Sequence, residues 1–190
     1  GPKEAYKIFD NVFRNNGIGI KNLPITQQPK NPASVFLGLN AVISGNEFYV
    51  DNYLLFPLAA PTGIQLVNVA ATVGALNKQG QNYFHCLLWG ILATNAVVTV
   101  NNCLFEDLVN NAGSYSYGKG IQATDGSMKI EACNFLGDAN NFIEAGGADL
   151  TVLGSTFSTK LDSAVSPSVL RSPRIGIYSY DNKHGERLII

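Results

Sequence analysis

The sequence is short of charge and of long hydrophobic runs. Asp, Glu, Lys and Arg make up 14% of its 190 residues, against about 25% in a typical soluble domain. The formal net charge of −1, with no cluster of Lys or Arg, leaves no electrostatic footprint for nucleic acid. No apolar run approaches the roughly 18 residues that a membrane-spanning helix needs. We therefore expect neither a nucleic-acid partner nor a membrane span.

Cysteine is scarce as well. The chain contains three cysteines, and an odd number argues against a complete disulfide framework. The strongest pair of neighbouring carboxylates for a metal is Glu106-Asp107, which alone supplies too few ligands for a calcium site. We assign no metal site, no cofactor and no catalytic residue from the sequence.

The chain starts with Gly1-Pro2 and not with Met. Such a start is typical of the remnant left when a purification tag is cleaved off, so we set residues 1–2 aside. The remaining residues, 3–190, are enough for one ordinary domain with a core. We expect a single domain that is a fragment of a longer solenoid.

What the sequence does contain is a repeat. The segments GILATNAVVTVNNCLF, GIQATDGSMKIEACNF and FIEAGGADLTVLGSTF align residue for residue, and in each an Ile precedes a Phe by the same interval, as in Ile121 and Phe135 (135 − 121 = 14). Within one unit, apolar residues alternate at 121–123, 128–130 and 133–135, which predicts three short strands. Repetition at this period indicates an all-β solenoid. We expect a parallel β-helix of about six rungs, a rung being one turn of the repeat, with three strands per rung.

A second pattern runs through the repeats two residues before each Phe. This position holds a small polar or thiol side chain, namely Asn11, Asn46, Asn82, Cys103, Cys133 and Ser155. Cys103 and Cys133 fall on consecutive rungs, so their Cα atoms should lie about 4.8 Å apart. That spacing permits a disulfide, but parallel Cβ vectors suit its torsion poorly. Both states stay open, with free thiols favoured.

Two copies of the pattern are irregular. In AVISGNEF (41–48) the apolar residues read as shifted by one place, and NKQGQNYF (77–84) retains only the Asn and the Phe. Near the N-terminus, Gly17-Ile18 and Gly19-Ile20 offer two registers for the start of a strand.

The interval from each Phe to the next Gly-Ile alternates between short and long, which predicts long loops on alternate rungs. Tyrosines gather in or beside these loops, and they are our candidate ligand-binding residues: Tyr49, Tyr53, Tyr115, Tyr117, Tyr178 and Tyr180. Exposed tyrosine suits stacking on sugars or contact with a protein. The alternative is that these side chains fold back into a satellite core under the loops.

With these features the chain resembles the right-handed parallel β-helix superfamily, which has the pectin-lyase-like fold. The resemblance implies three sheets, a right-handed coil and internal ladders of like side chains, which the Asn/Cys/Ser position would supply. Members of this superfamily include polysaccharide lyases and hydrolases, phage depolymerases, adhesins and structural stalks. Fold alone does not choose among them.

The polar residues give little support for catalysis. Asp125 and Asp181 occupy a position that is Asn or Gly in other rungs, as a turn demands. Glu144 should point outward from its strand, either into solvent or into a ligand groove, and the solvent-facing position is favoured. His85 and His184 have no identifiable nucleophile partner. The motifs of galacturonan hydrolases, an NTD strand with a following DD pair, GHG and RIK, are not present.

We therefore expect a non-catalytic structural or adhesive module of a larger secreted or cell-surface protein. Its expected partners are a glycan or a cell-surface protein, bound through the loops, and its uncapped ends predict end-to-end self-association. The alternative is a fragment of a glycan-active enzyme, a polysaccharide lyase, hydrolase or depolymerase. Carboxylates or Arg/Lys converging on one outward face would favour that alternative.

Overall fold

A computed structural model describes residues 6–22, 40–51, 61–108, 118–137, 139, 141–158, 175–181 and 188–189. Within these residues the fold is all-β, with one 3₁₀ turn at Lys78–Gly80 and no α-helix. In chain order the strands are β1 Tyr6–Phe9, β2 Val12–Arg14, β3 Ile18–Lys21, β4 Asn40–Ser44, β5 Glu47–Tyr49, β6 Thr62–Val67, β7 Ala70–Val73, β8 Tyr83–His85, β9 Trp89–Asn101, β10 Leu104–Glu106, β11 Lys119–Glu131, β12 Asn134–Leu136, β13 Asn141–Gly146, β14 Asp149–Leu153, β15 Thr156–Ser158, β16 Ile175–Tyr180 and β17 Leu188–Ile189.

The parallel strand pairs form three columns, but β9 and β11 each run through two of them, so those rungs do not have the three separate short strands that we expected. The first column is β1-β4-β7-β9-β11-β14-β17, the second is β2-β5-β8-β10-β12-β15, and the third is β3-β6-β9-β11-β13-β16. Each strand pairs with the equivalent strand of the next rung, so residues that align in the sequence repeat also pair across the strands. Parallel sheets built in this way are consistent with a β-solenoid.

The described strands form two hydrogen-bonded sheets, of eleven and six strands, and not the three that we expected. The reason is that β9 and β11 each run through 13 residues, from the third column into the first column of the next rung. Their hydrogen bonding continues across a bend at Asn95 and Asp125, where φ is 47° and 56°. The bend turns the chain without breaking the ladder.

The bend confirms the interpretation of Asp125 and Asp181 as turn residues. The equivalent residues of five rungs all have positive φ, with values of 54°, 47°, 56°, 62° and 63°: Asn68, Asn95, Asp125, Gly147 and Asp181. Asn, Asp and Gly are the residues that tolerate this left-handed conformation. The interchange of these three residues in the sequence therefore records one backbone requirement.

The core contains a column of stacked phenylalanine rings from the second strand column. Neighbouring rings are separated by 4.7–5.0 Å between centroids and lie within 4–7° of parallel, in the order Phe13, Phe48, Phe84, Phe105, Phe135 and Phe157. The separation is close to the spacing of paired strands. The column that the repeat predicts is therefore confirmed.

The structure corrects two of the irregular copies. Ala41 and Ile43 pair with Ala71 and Val73 in the ordinary register, so AVISGNEF is not shifted. In the next rung, Val73 and Asn82 are nine residues apart where Val100 and Cys103 are three apart, because the 3₁₀ turn is inserted between the two halves of the pattern. That copy is interrupted by an insertion and is not degraded.

The N-terminal register is also settled. Ile20 pairs with Ile64, and Lys21 pairs with Gln65. The inward isoleucine of this rung is therefore the one in Gly19-Ile20. Because Gly63-Ile64 is its partner, the first rung follows the same Gly-Ile rule as the later ones.

The Asn/Cys/Ser position forms a ladder that joins the rungs. The Asn46 amide oxygen accepts from the backbone N–H of Asn11 at 2.9 Å, and the Asn82 amide oxygen accepts from that of Asn46 at 2.8 Å. The sulfur of Cys133 takes the same role toward the N–H of Cys103, at 3.4 Å. Each of these side chains accepts from a backbone N–H at the turn between the first and the second strand column, where the N–H has no partner from strand pairing.

The three cysteines are free thiols. Cys103 and Cys133 are buried in the ladder, and burial raises the pKa of the Cys103 thiol. Cys86 is half-buried. Since the reactive species is the accessible thiolate, we expect a thiol reagent such as DTNB to titrate one cysteine per native chain and three per chain in denaturant. A single thiol in denaturant would show that Cys103 and Cys133 are instead bridged.

Candidate functional site

The outer face of the third column presents one row of side chains, with one residue from each rung. In-register pairing places these residues side by side: Lys21, Gln65, Leu92, Gln122, Glu144 and Tyr178. The adjacent inward row is Ile20, Ile64, Ile91, Ile121, Ile143 and Ile177. The inward row repeats one residue, whereas the outward row changes at every rung.

Glu144 lies at the centre of a polar cluster on this face. Its carboxylate is 2.8 Å from the Lys119 ammonium and accepts hydrogen bonds from the side-chain amides of Asn141 at 2.7 Å and Gln122 at 3.4 Å. Glu144 is only 9% exposed. The expectation that Glu144 faces solvent is therefore wrong. It points away from the core, but neighbouring rungs enclose it.

Asn141 adds an unsatisfied acceptor to this cluster. The residue is 4% exposed, and its Nδ2 donates to Glu144, which fixes the orientation of the amide. Its Oδ1 is buried without a hydrogen-bond partner in the part of the chain that the structure describes. A buried polar atom left unpaired costs about 1–3 kcal/mol. A donor that reached this oxygen would recover that free energy.

Two tyrosines border the cluster. Tyr178 pairs with Glu144 across the strands, and Tyr180 pairs with Gly146. The two rings lie 5.3 Å apart and are 44% and 40% exposed. The Tyr180 ring covers Gly146, where a Cβ would come within 2.7 Å of it. The missing side chain at Gly146 is what lets this ring lie on the sheet.

The Tyr180 phenol lies in a negative environment. Desolvation, followed by the charges of Glu144, Tyr178 and Asp181, raises its pKa. The phenol therefore stays protonated and available as a hydrogen-bond donor at neutral pH. We call Lys119, Gln122, Asn141, Glu144, Tyr178 and Tyr180 together the tyrosine–glutamate patch.

Of the other candidate tyrosines, Tyr49 is described, and it does not join this patch. Tyr49 lies on the six-stranded sheet, where its ring stacks on His85 at 4.6 Å and the Arg14 guanidinium lies 5.7 Å from the ring centroid. Tyr53, Tyr115 and Tyr117 lie outside the described residues. The three described tyrosines of the predicted set are thus divided between two faces, and Tyr178 and Tyr180 are the two that the structure brings together.

His85 makes packing contacts with its neighbours on the six-stranded sheet. Its ring stacks between Tyr49 and Tyr83 and lies 3.2 Å from the Glu47 carboxylate. The Tyr83 hydroxyl donates to Glu106, and burial with this carboxylate raises the pKa of the phenol. Among the described residues no group of three or more His, Cys, Asp or Glu side chains is placed to hold a metal ion.

Sequence reasoning missed Lys119, Gln122 and Asn141. A signal for two of them was present: Lys119 and Asn141 each stand two residues before the inward isoleucine of consecutive rungs. In-register pairing therefore had to place them side by side, as the structure does. Comparing the aligned repeats position by position across the rungs would have identified the pair.

Comparisons with family models, with curated proteins and with solved structures find no match to this chain. In the described part of the chain, no helix has the length and apolar character needed to cross a lipid bilayer.

Proposed function

We propose that the chain is a right-handed parallel β-helix of the pectin-lyase-like kind that serves as a non-catalytic structural and adhesive module. It belongs to a larger secreted or cell-surface protein and binds glycan on the outer face of its third strand column. The binding residues are those of the tyrosine–glutamate patch. The observation that carries the proposal is the exposed pair of Tyr178 and Tyr180 beside enclosed hydrogen-bonding groups.

A sugar ring requires the two kinds of contact that this patch combines. Its C–H face packs on an aromatic ring, and Tyr178 and Tyr180 offer two rings 5.3 Å apart. Its hydroxyl groups need donors and acceptors fixed at its edge. Gln122 and Glu144 supply these groups from adjacent strands that pair in register.

The scaffold beneath the patch is rigid. Ile121 and Ile143 are fully buried, directly inside the strands that carry Gln122 and Glu144. The hydrogen bonds from Lys119 and Asn141 hold the Glu144 carboxylate in one position. A preorganised site loses less conformational entropy on binding, which suits a module built for adhesion.

A glycan-active enzyme is the second candidate, and one observation favours it. Lys119 and Glu144 converge on one outward face, 2.8 Å apart, which is the kind of feature the sequence did not reveal. Against it, the patch contains one carboxylate, whereas glycoside hydrolysis ordinarily uses two. The Lys119 ammonium is also engaged by that carboxylate, so it does not serve as a free base.

A polysaccharide screen separates the two candidates. Acidic and neutral polysaccharides are incubated with the protein, and both retention of the protein and the appearance of new reducing or unsaturated ends are scored. The adhesive module predicts retention without new ends. Turnover that is lost in Glu144→Gln would assign the enzyme instead.

Removing the two exposed rings tests the location of the site. We expect the double variant Tyr178→Ala, Tyr180→Ala to bind the retained polysaccharide at least about fivefold more weakly, since two stacking contacts are each worth about 0.5–1.5 kcal/mol. Tyr49→Ala, on the other sheet, is the matched control and should keep its affinity. Equal weakening in both variants, with folding intact by circular dichroism, would place the site elsewhere.

A further inference from the structure

Building on the proposed function, we propose that the tyrosine–glutamate patch binds uncharged hexose units and rejects uronate units. The evidence is the ion pair that already engages Lys119, the cation of the patch, together with the carboxylates that border the patch. Both features disfavour an anionic sugar.

The charges at the patch oppose the binding of an anionic sugar. Lys119 is the cation within the patch, and its ammonium is already 2.8 Å from the Glu144 carboxylate. A uronate would have to compete with Glu144 for it and would leave one of the two carboxylates unpaired at a partly desolvated site. An uncharged sugar leaves this ion pair intact.

Two further carboxylates lie along the adjacent bend. Asp125 and Asp181 occupy the bend one rung to either side of Gly147, and a Cβ at Gly147 would lie 2.8 Å from the Asp125 carboxylate. The same Gly147 donates its N–H to the carbonyl of Tyr180 at 3.0 Å. The negative edge is therefore next to the stacking rings, where it repels a bound anion over a distance of about one Debye length.

The test compares one polymer in two charge states. Polygalacturonate and its carboxyl-reduced derivative have the same linkage and differ in charge at C6; galactan, glucan and mannan extend the neutral arm, and alginate extends the acidic arm. We expect at least one neutral polymer to bind with an affinity at least tenfold higher than that of either acidic polymer. Tighter binding of an acidic polymer would overturn the charge selection and leave glycan binding standing. Binding to neither arm would overturn the proposed function itself.

The bend carboxylates can be neutralised without disturbing the fold. In Asp125→Asn, Asp181→Asn each new residue is the one that Asn68 and Asn95 already provide at equivalent bends with positive φ. We expect the affinity for the neutral polymer to stay within twofold, while polygalacturonate binding at low salt rises about threefold or more. An unchanged ratio of the two affinities would contradict the role assigned to these carboxylates.

Discussion

Replacing Phe135 with alanine is expected to lower the free energy of unfolding by about 3–5 kcal/mol. Phe135 is fully buried and stacks on Phe105 at 4.7 Å and on Phe157 at 5.0 Å. Its ring also packs on Gly120, whose lack of a side chain lets the ring approach the backbone. Removing the ring leaves a cavity that the rungs cannot close, because strand pairing fixes their separation.

Urea unfolding followed by far-UV circular dichroism measures this loss. Phe157→Ala is the matched control, since Phe157 occupies the same column but is only partly buried and should cost less. Phe135→Leu should restore part of the loss by refilling the cavity. If Phe135→Ala and Phe157→Ala cost the same, the column does not carry the core as described.

Gly120→Ala is the second substitution with a large expected effect, about 3 kcal/mol of destabilisation, at the upper end for overpacking. A Cβ at Gly120 would lie 2.6 Å from the carbonyl oxygen of Phe142 in the next rung and 2.9 Å from the Phe135 ring. Neither group can move freely, because one is backbone in a paired strand and the other is held in the ring column. The rungs would have to separate locally to admit one methyl group.

The control for Gly120→Ala is Gly17→Ala, where a Cβ would meet nothing within 4 Å. That change should alter the free energy of unfolding by less than about 1 kcal/mol. Both variants remove the same backbone entropy from the unfolded chain, so their difference isolates the contact at Gly120. Equal stabilities for the two variants would show that the close approach at Gly120 is not a constraint.

Most of the register could be predicted from the sequence, because in a stacked repeat a shared sequence position becomes a shared place in space. The interval from Ile121 to Phe135 fixed both the isoleucine row and the phenylalanine column. The position of Cys133 fixed the ladder in the same way. Each of these side chains meets its own equivalents above and below, so one well-read unit predicts the others.

Other features depend on information that one unit does not contain. Whether the bend at Asp125 breaks the hydrogen-bond ladder is a matter of backbone geometry, and the unbroken ladder merges two expected sheets into one. The insertion between Val73 and Asn82 concealed a regular rung because the pattern was read at a fixed spacing. An insertion at a turn leaves the strands on either side in register, as the pairing of Val73 with Val100 shows.

The candidate site was the least predictable part. Glu144 was correctly placed on an outward row, but it is enclosed by Lys119 of the preceding rung and by Asn141 of its own strand. Alternation along one strand reports which face a side chain lies on and not how its neighbours enclose it. Reading across the rungs, and not only along the strand, is needed to find such a cluster.

The division between inward and outward rows also bears on function. The inward row is isoleucine at every described rung, whereas the outward row varies from Lys21 through Leu92 to Tyr178. The isoleucine positions are constrained because each stacks on its equivalents in the neighbouring rungs, so they cannot change from rung to rung to fit a ligand. The recognition that we propose would then be built from outward residues on a fixed scaffold, which is where the tyrosine–glutamate patch lies.

Nuclear Overhauser contacts between phenylalanine rings test the in-register stack most directly. With selectively labelled phenylalanine, the account predicts ring-to-ring contacts for Phe84 with Phe105 and for Phe105 with Phe135, whose centroids lie 4.8 and 4.7 Å apart. It predicts none for Phe84 with Phe135, which are two rungs apart. A contact between Phe84 and Phe135, or no contact between Phe105 and Phe135, would contradict the stacking on which the fold and the patch depend.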